Sequence, residues 1–145
     1  MDRWFHEKAH THHDKHHCRV TTIHAPGDEV PVAFYALAIV AERLIDKKSL
    51  IPSFLLGGSG HFPSLRLEWA AVRHDLQGKG LGTIVMGRVL TVFSDMVAET
   101  GMPALTLKPL NDRAATFYRR LGFIAFGPNV LGRRMMLPAE KVIEI

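Results

Sequence analysis

The sequence predicts an α/β fold with a mixed central sheet, and three observations support this prediction. An apolar strand pattern, Leu65–Val72, leads through a glycine-rich loop into a long helical pattern. A second strand pattern, Ala104–Lys108, follows, and strand, helix and strand in this order form a β-α-β crossover with parallel strands. Upstream, Cys18–Ala25 and Pro31–Val40 flank a Pro-Gly-Asp turn and predict an antiparallel hairpin. Parallel and antiparallel pairs together give a mixed sheet, with helices on both faces.

The composition fits a single globular domain over residues 1–145, with 47% hydrophobic and 22% charged residues. Cys18 is the only cysteine, which excludes an internal disulfide and a cysteine-cluster metal site. The start shows no signal-peptide pattern, and the longest apolar run, Val32–Ala41, is too short to span a bilayer. We therefore expect a cytoplasmic protein with no membrane segment. The net charge of +4 mildly favours anionic partners.

The first 17 residues predict a helix whose buried face carries Trp4, Phe5 and Ala9. Four of its histidines recur at helical spacing and form one stripe: His6, His10, His13 and His17. Histidines at i and i+4 can share a metal ion, but no acid or cysteine completes a known ligand spacing. We expect a solvated helix face here and predict no metal site.

The middle of the chain is the least regular in pattern. Pro31–Val40 is nearly all apolar, which indicates a strand buried on both faces. Ala41–Leu50 suggests a short helix. Gly57–Gly60 resembles a phosphate loop, but Phe62 and Pro63 stand where its helix would begin, so we expect a flexible connection.

The glycine-rich loop is the strongest candidate for a ligand site. Gly78, Gly80 and Gly82 let the backbone turn sharply and approach a ligand, and the helix that follows offers unpaired N–H groups to an anion. Thr83 and Ile84 follow the last glycine, so the Lys-Ser/Thr pair of a Walker loop is absent. The Gly-x-Gly-x-Gly spacing also differs from a dinucleotide-binding fingerprint. The alternative is a plain turn into a helix.

A second candidate lies on the helix that begins at Asn111 or Asp112 and ends before Gly122. One stripe of this helix carries an amide, two small residues and a phenol: Asn111, Ala114, Ala115 and Tyr118. Small residues let a ligand lie against the helix, and the phenol can reach its reacting end. The alternative is that Phe117 and Tyr118 are ordinary core aromatics.

The two candidates together resemble the GNAT superfamily of acetyl-CoA-dependent N-acetyltransferases. Gln77–Gly82 resembles the family's pyrophosphate loop. The family's closing motif is matched by Asn111, Ala114, Phe117, Tyr118, Gly122 and Phe123. The resemblance covers about residues 65–126 and implies the GNAT fold, with acetyl-CoA as cosubstrate.

The resemblance also implies residue roles. Backbone groups of Ala71 and Val72 would bind pantetheine, and the Val72 N–H would polarise the thioester carbonyl. Tyr118 would protonate the departing thiolate, and Asn111 and Ala114 would contact the cofactor. The pyrophosphate would be held by N–H groups of Gln77, Gly78, Lys79, Gly80, Leu81, Gly82 and Thr83.

Three acidic or imidazole side chains are candidates for the general base. Glu68, on the strand before the loop, is a weak candidate whose alternative is a solvated strand face. His61 and His74 are weaker candidates.

The ends of the chain resemble the acetyltransferase toxins of bacterial toxin–antitoxin systems. The resemblance lies in the Met1–Phe5 helix start, the Phe34–Leu37 strand and the Arg133–Pro138 ending. Such toxins acetylate the amino group of aminoacyl-tRNA. A basic surface would suit tRNA phosphate, with solvated arginines as the alternative: Arg73, Lys79, Arg113, Arg119, Arg120, Arg133 and Arg134.

This subgroup resemblance leaves other functions open. Trp69 stands where many of these toxins have an arginine, and the family's first strand is expected to be missing. An acetyltransferase for a small amine or a protein N-terminus is the first alternative, and a non-catalytic CoA-binding module is the second. The family further suggests a homodimer and an antitoxin partner.

Overall fold

In a computed structural model the chain is described over residues 3–43, 61–126 and 134–143. The strands are β1 (Arg19–Ile23), β2 (Ala33–Arg43), β3 (His61–Val72), β4 (Ala104–Leu107), β5 (Ile124–Phe126) and β6 (Arg134–Pro138). The helices are α1 (Arg3–Glu7), α2 (Ala9–Asp14), α3 (Leu81–Thr100), α4 (Asp112–Arg120) and α5 (Ala139–Ile143).

The six strands form one mixed sheet in the order β1-β2-β3-β4-β6-β5. β1 pairs with β2 antiparallel, with Thr21 opposite Tyr35. β6 pairs antiparallel with both β4 and β5. α3 connects the neighbouring strands β3 and β4, so the predicted mixed sheet with a β-α-β core is confirmed.

The chain divides into two compact units. The first comprises Met1–Ala38 and Leu67–Val92. Its core includes the β2 segment Ala33–Ala38, which is buried throughout, as the apolar run predicted. Ile39, which belongs to the same predicted run, is instead 68% exposed. Trp4 of α1 stacks on Trp69 of β3 with ring centroids 5.1 Å apart, and Phe5 contacts Phe34 at 4.5 Å. These contacts fix the N-terminal helices against the first unit's part of the sheet.

The second unit comprises Ile39–Arg66 and Phe93–Ile145. An apolar cluster of Phe62, Ala104, Phe126 and Met136, with Ile124 packed against it, joins β3 to the three strands that follow in the sheet. Leu105 and Leu137 are also fully buried.

The helix α3 is long and apolar enough, by length and composition alone, to cross a membrane. It also connects two adjacent strands and buries one stripe of residues, Val85, Met86, Val89 and Phe93, as a crossover helix does. It ends as predicted at Gly101, whose φ of 70° is the left-handed conformation of a helix C-cap.

Three predictions about local structure were wrong. The N-terminal helix breaks at Lys8, and His17 lies beyond α2, so His6, His10, His13 and His17 form no continuous stripe. Residues 41–43 continue β2 instead of starting a helix. Residues 61–64 open β3, because Phe62 and Ser64 are buried in the sheet. The rest of the predicted helix and Gly57–Gly60 lie outside the described residues.

Candidate functional site

In the first unit, the candidate site begins at the end of β3. Ala71 and Val72 are half-buried there. The Gln77 side chain donates from Nε2 to the Val72 carbonyl at 3.1 Å, and the Arg73 N–H donates to the Val32 carbonyl at 2.8 Å. These hydrogen bonds hold both ends of the turn that leads from the strand into the loop.

The loop turns on two glycines with positive φ. Gly78 has a φ of 79° and Gly80 a φ of 83°, a region that side-chain-bearing residues rarely adopt. Gly82 lies within α3 with ordinary helical backbone, and a Cβ there would meet nothing within 4 Å. None of the described residues therefore requires a glycine at 82, and its lack of a side chain leaves space in front of the helix.

The start of α3 presents backbone donors to that space. The first hydrogen bond of the helical pattern runs from the Ile84 N–H to the Gly80 carbonyl at 3.3 Å. The N–H groups of Leu81, Gly82 and Thr83 precede that pattern. The dipole of this 20-residue helix and the exposed ammonium of Lys79 both favour negative charge here. The arrangement suits a phosphate or pyrophosphate group.

Arg73 links the loop to the β1–β2 turn. Its Nε donates to Asp75 Oδ1 at 2.8 Å, and its Nη1 donates to Asp28 Oδ2 at 3.3 Å. The pKa of Asp28 is lowered mainly by the hydrogen bond from the Val30 N–H and secondly by the hydrogen bond from Arg73. The hydrogen bond from Arg73 also lowers the pKa of Asp75. Two carboxylates thus occupy this guanidinium, which corrects the prediction that Arg73 belongs to a free basic surface.

In the second unit, the helix α4 positions the other predicted residues. Asn111 is its N-cap and accepts the Ala114 N–H at 2.8 Å through Oδ1, as the sequence predicted. Ala115 is buried, while Ala114 and Tyr118 are half-buried on the same side of the helix. The helix ends at Gly122, whose φ is 100°.

Tyr118 is held by two aromatic neighbours. Its ring centroid lies 5.4 Å from that of Phe117 and 5.6 Å from that of Phe123. Burial raises the pKa of the phenol above its ordinary value, so it stays protonated at neutral pH. Within the described part of the chain, the Tyr118 hydroxyl has no hydrogen-bond partner. Every fully buried side-chain oxygen in that part has a partner, so the Tyr118 hydroxyl oxygen is not fully buried. The hydroxyl oxygen is therefore accessible and can donate a proton to a ligand.

The candidate bases differ in their surroundings. Glu68 is half-buried in β3. The pKa of the Cys18 thiol is raised mainly by the burial of the thiol and secondly by the negative charge of Glu68. Its carboxylate therefore lies near the start of β1. His61 and His74 are both exposed.

A buried polar cluster was missed by the sequence analysis. Glu42, only 1% exposed, accepts through Oε1 from Arg66 Nε at 3.0 Å, Arg66 Nη2 at 2.8 Å and Thr106 Oγ1 at 2.9 Å. Its Oε2 accepts from Arg134 Nη1 at 2.6 Å. Ser64 and Thr106 share a further hydrogen bond of 2.8 Å. This cluster of five residues crosses the four adjacent strands β2, β3, β4 and β6.

The predicted basic surface is thereby reduced. Arg134 is paired with Glu42, and Arg133 lies outside the described residues. Of the seven cations in the predicted surface, four are exposed and make no ion pair with any described residue: Lys79 of the loop and Arg113, Arg119 and Arg120 of α4.

Comparisons with known proteins agree with this arrangement. Residues 1–123 match the sequence model of the Acetyltransferase (GNAT) family, whereas no curated protein matches the chain. A tyrosine-to-phenylalanine mutant of KacT is 23% identical with a TM-score of 0.78, over 97% of this chain and 82% of that one. AtaT complexed with acetyl-methionyl-tRNAfMet is 21% identical with a TM-score of 0.79, over 97% and 82%. AtaTR bound with acetyl-CoA is 21% identical with a TM-score of 0.79, over 97% of this chain and 81% of that one.

Proposed function

Because this chain belongs to the GNAT family of acetyltransferases, we propose that it transfers the acetyl group of acetyl-CoA to the α-amine of an aminoacyl-tRNA. The observation that carries the cosubstrate assignment is the glycine loop, whose open helix start suits a pyrophosphate. The acceptor assignment rests on similarity to AtaT, which was solved with acetyl-methionyl-tRNAfMet. It also rests on the unpaired cations of the loop and α4.

In the first unit, backbone groups do the binding. The N–H groups from Gly78 to Thr83 hold the pyrophosphate of acetyl-CoA, and Lys79 adds a positive charge. The Gln77 N–H, which the sequence analysis included in this set, already donates to the His74 carbonyl at 3.4 Å. Ala71 and Val72 bind the pantetheine arm in the manner of an added strand. The Val72 N–H polarises the thioester carbonyl and stabilises the oxyanion that forms when the amine attacks.

In the second unit, Tyr118 acts as general acid. The amine nitrogen forms a bond to the acetyl carbon, the carbon–sulfur bond breaks, and the phenol gives its proton to the departing thiolate. The nitrogen loses its proton to a base, for which we propose Glu68, directly or through water. Ala114 contacts the cofactor, as does the Asn111 side chain, whose amide NH2 remains available because only Oδ1 is used by the cap.

This proposal places the reaction in the cytoplasm, where aminoacyl-tRNA is found, with a homodimer and an antitoxin as further expected partners. AtaT has been solved bound to the C-terminus of the antitoxin AtaR. The alternative acceptor is a small amine or a protein N-terminus, which needs no extended basic surface. A non-catalytic CoA-binding module is the other alternative, and the accessible phenol of Tyr118 argues against it.

The test is thiol release from acetyl-CoA with charged tRNA and with a panel of small amines. We expect turnover with charged tRNA that falls about 100-fold in Tyr118→Phe, since a general acid contributes about 10²- to 10⁴-fold and a thiolate needs modest help. Tyr35→Phe is the matched control, because it removes the chain's other phenol, which lies in β2.

Each other result points elsewhere. Turnover with small amines alone refutes the tRNA acceptor but keeps the acetyltransferase. Acetyl-CoA binding without turnover on any acceptor supports the binding module. Equal rates for Tyr118→Phe and wild type remove Tyr118 from the mechanism.

A further inference from the structure

The helix α4 carries three exposed arginines that take no part in the chemical step. With 100° between successive residues, Arg113, Arg119 and Arg120 fall within an arc of about 120°. Ala114 and Tyr118 occupy the other side, toward the buried Ala115. We call the three arginines the arginine face.

The charge of this face is not neutralised by its surroundings. None of the three guanidinium groups pairs with an acid among the described residues. Asp112 is the one acid in the same arc, so the face has a net charge of +2, three arginines less one aspartate. Thr116, which lies between the arginines, turns its hydroxyl back to the Asp112 carbonyl at 3.0 Å and leaves the surface open.

Helix stability accounts for only part of this arrangement. Arg119 and Arg120 lie in the last turn, where cations favour the helix dipole. Arg113 lies in the first turn, directly after Asp112, where a positive charge opposes the dipole and costs helix stability. A residue that breaks a local rule without structural gain points to a functional constraint.

We propose that the arginine face binds the phosphate backbone of the RNA acceptor. This inference rests on the proposed function, and it assigns the RNA to one surface of the chain. Guanidinium groups match phosphate oxygens through paired N–H donors. Arg113 and Arg120 are separated by about 10 Å along the helix. That span lets the two ends of the face contact different phosphates of the RNA backbone.

The basic character extends past the end of the helix. The Lys141 ammonium of α5 lies 3.4 Å from the carbonyl oxygen of Gly122, the residue that terminates α4. One further exposed cation therefore lies close to the C-terminal end of α4, where Arg119 and Arg120 are found.

The test is the salt dependence of binding to uncharged tRNA, measured by fluorescence anisotropy between 50 and 200 mM salt. Two variants probe the face: Arg113→Gln and the double variant Arg119→Gln, Arg120→Gln. Glutamine has nearly the helix propensity of arginine, so α4 is expected to remain folded, and circular dichroism checks this. Arg88→Gln is the matched control, since Arg88 is an exposed and unpaired arginine of α3.

We expect each lost arginine to reduce the slope of log affinity against log salt by about 0.7 to 0.9. That change corresponds to about a fivefold weaker affinity per arginine at 0.15 M salt. The control variant is expected to keep the wild-type slope. Slopes that are equal for the α4 variants, the control and the wild type overturn the inference.

Two further outcomes separate this inference from the proposed function. If the wild type acetylates aminoacyl-tRNA and the α4 variants bind tRNA normally, only the arginine face is refuted. If the wild type neither binds nor acetylates tRNA but acetylates small amines, the RNA acceptor itself fails. A higher KM for acetyl-CoA in Arg113→Gln with an unchanged salt slope assigns Arg113 to the cofactor and refutes its RNA role.

Discussion

Replacing Glu42 with glutamine removes the charge at the centre of the buried polar cluster while keeping the size of the side chain. The carboxylate accepts four hydrogen bonds, three of them from guanidinium groups. The amide of Glu42→Gln turns one acceptor into a donor, which then meets a donor of Arg66, Thr106 or Arg134. Both the ion pairing and the hydrogen-bond pattern are lost at a site that is 1% exposed.

The magnitude follows from burial. Breaking a buried ion pair by removing one partner costs about 3–5 kcal/mol, because a charge is left without compensation. The side chains of Arg66 and Arg134 are 26% and 46% exposed, so water can rehydrate both guanidinium groups and reduce the loss. We therefore expect Glu42→Gln to lower the free energy of unfolding by about 2–4 kcal/mol.

Urea denaturation followed by far-ultraviolet circular dichroism measures this loss without the ionic screening that guanidinium would add. Glu7→Gln is the control, because Glu7 pairs with Arg3 at 2.7 Å but both side chains are largely exposed. Such an exposed pair contributes about 0.5 kcal/mol or less. If both variants lose the same free energy, burial is not what makes the Glu42 pairs strong, and the reasoning is wrong.

Three other predictions concern the site. Gly80→Ala should raise the KM for acetyl-CoA by straining the loop, whereas Gly101→Ala, with a similar positive φ just after the C-terminal end of α3, should cost similar stability and leave the KM unchanged. Asp28→Asn should raise the same KM a few-fold by loosening Arg73, and an unchanged KM would contradict that link. Because burial raises the pKa of Tyr118, the phenol should keep its proton throughout the neutral and mildly alkaline range. A loss of kcat near pH 8 that Tyr118→Phe abolishes would therefore argue against this raised pKa.

Features with a local signal were predictable from the sequence. The β-α-β core, the Asn111 cap and the C-caps at Gly101 and Gly122 each depend on residues close together in the chain. The loop glycines likewise predict the turn after which α3 begins. These predictions succeeded because a few neighbouring residues are enough to determine the backbone conformation and the apolar spacing.

Features set by distant contacts were not predictable in the same way. Glu42 bonds to residues 24, 64 and 92 positions away, so its strand looked like the start of a short helix. The pairing of Arg73 with Asp28, 45 positions apart, removed one cation from the predicted basic surface for the same reason. A charge pattern shows which residues are charged but not which of them are already paired.

The stack of Trp4 on Trp69 determines what tryptophan fluorescence can report about this protein. These are the only two tryptophans, and both belong to the first unit. Their rings lie 5.1 Å apart and 17° from parallel, with His12 at 5.5 Å from Trp4. Intrinsic tryptophan emission is therefore a built-in reporter of whether α1 is docked on β3. A substitution at Glu42, in the second unit, reaches that signal only if the two units unfold together, so comparing emission with circular dichroism measures their cooperativity.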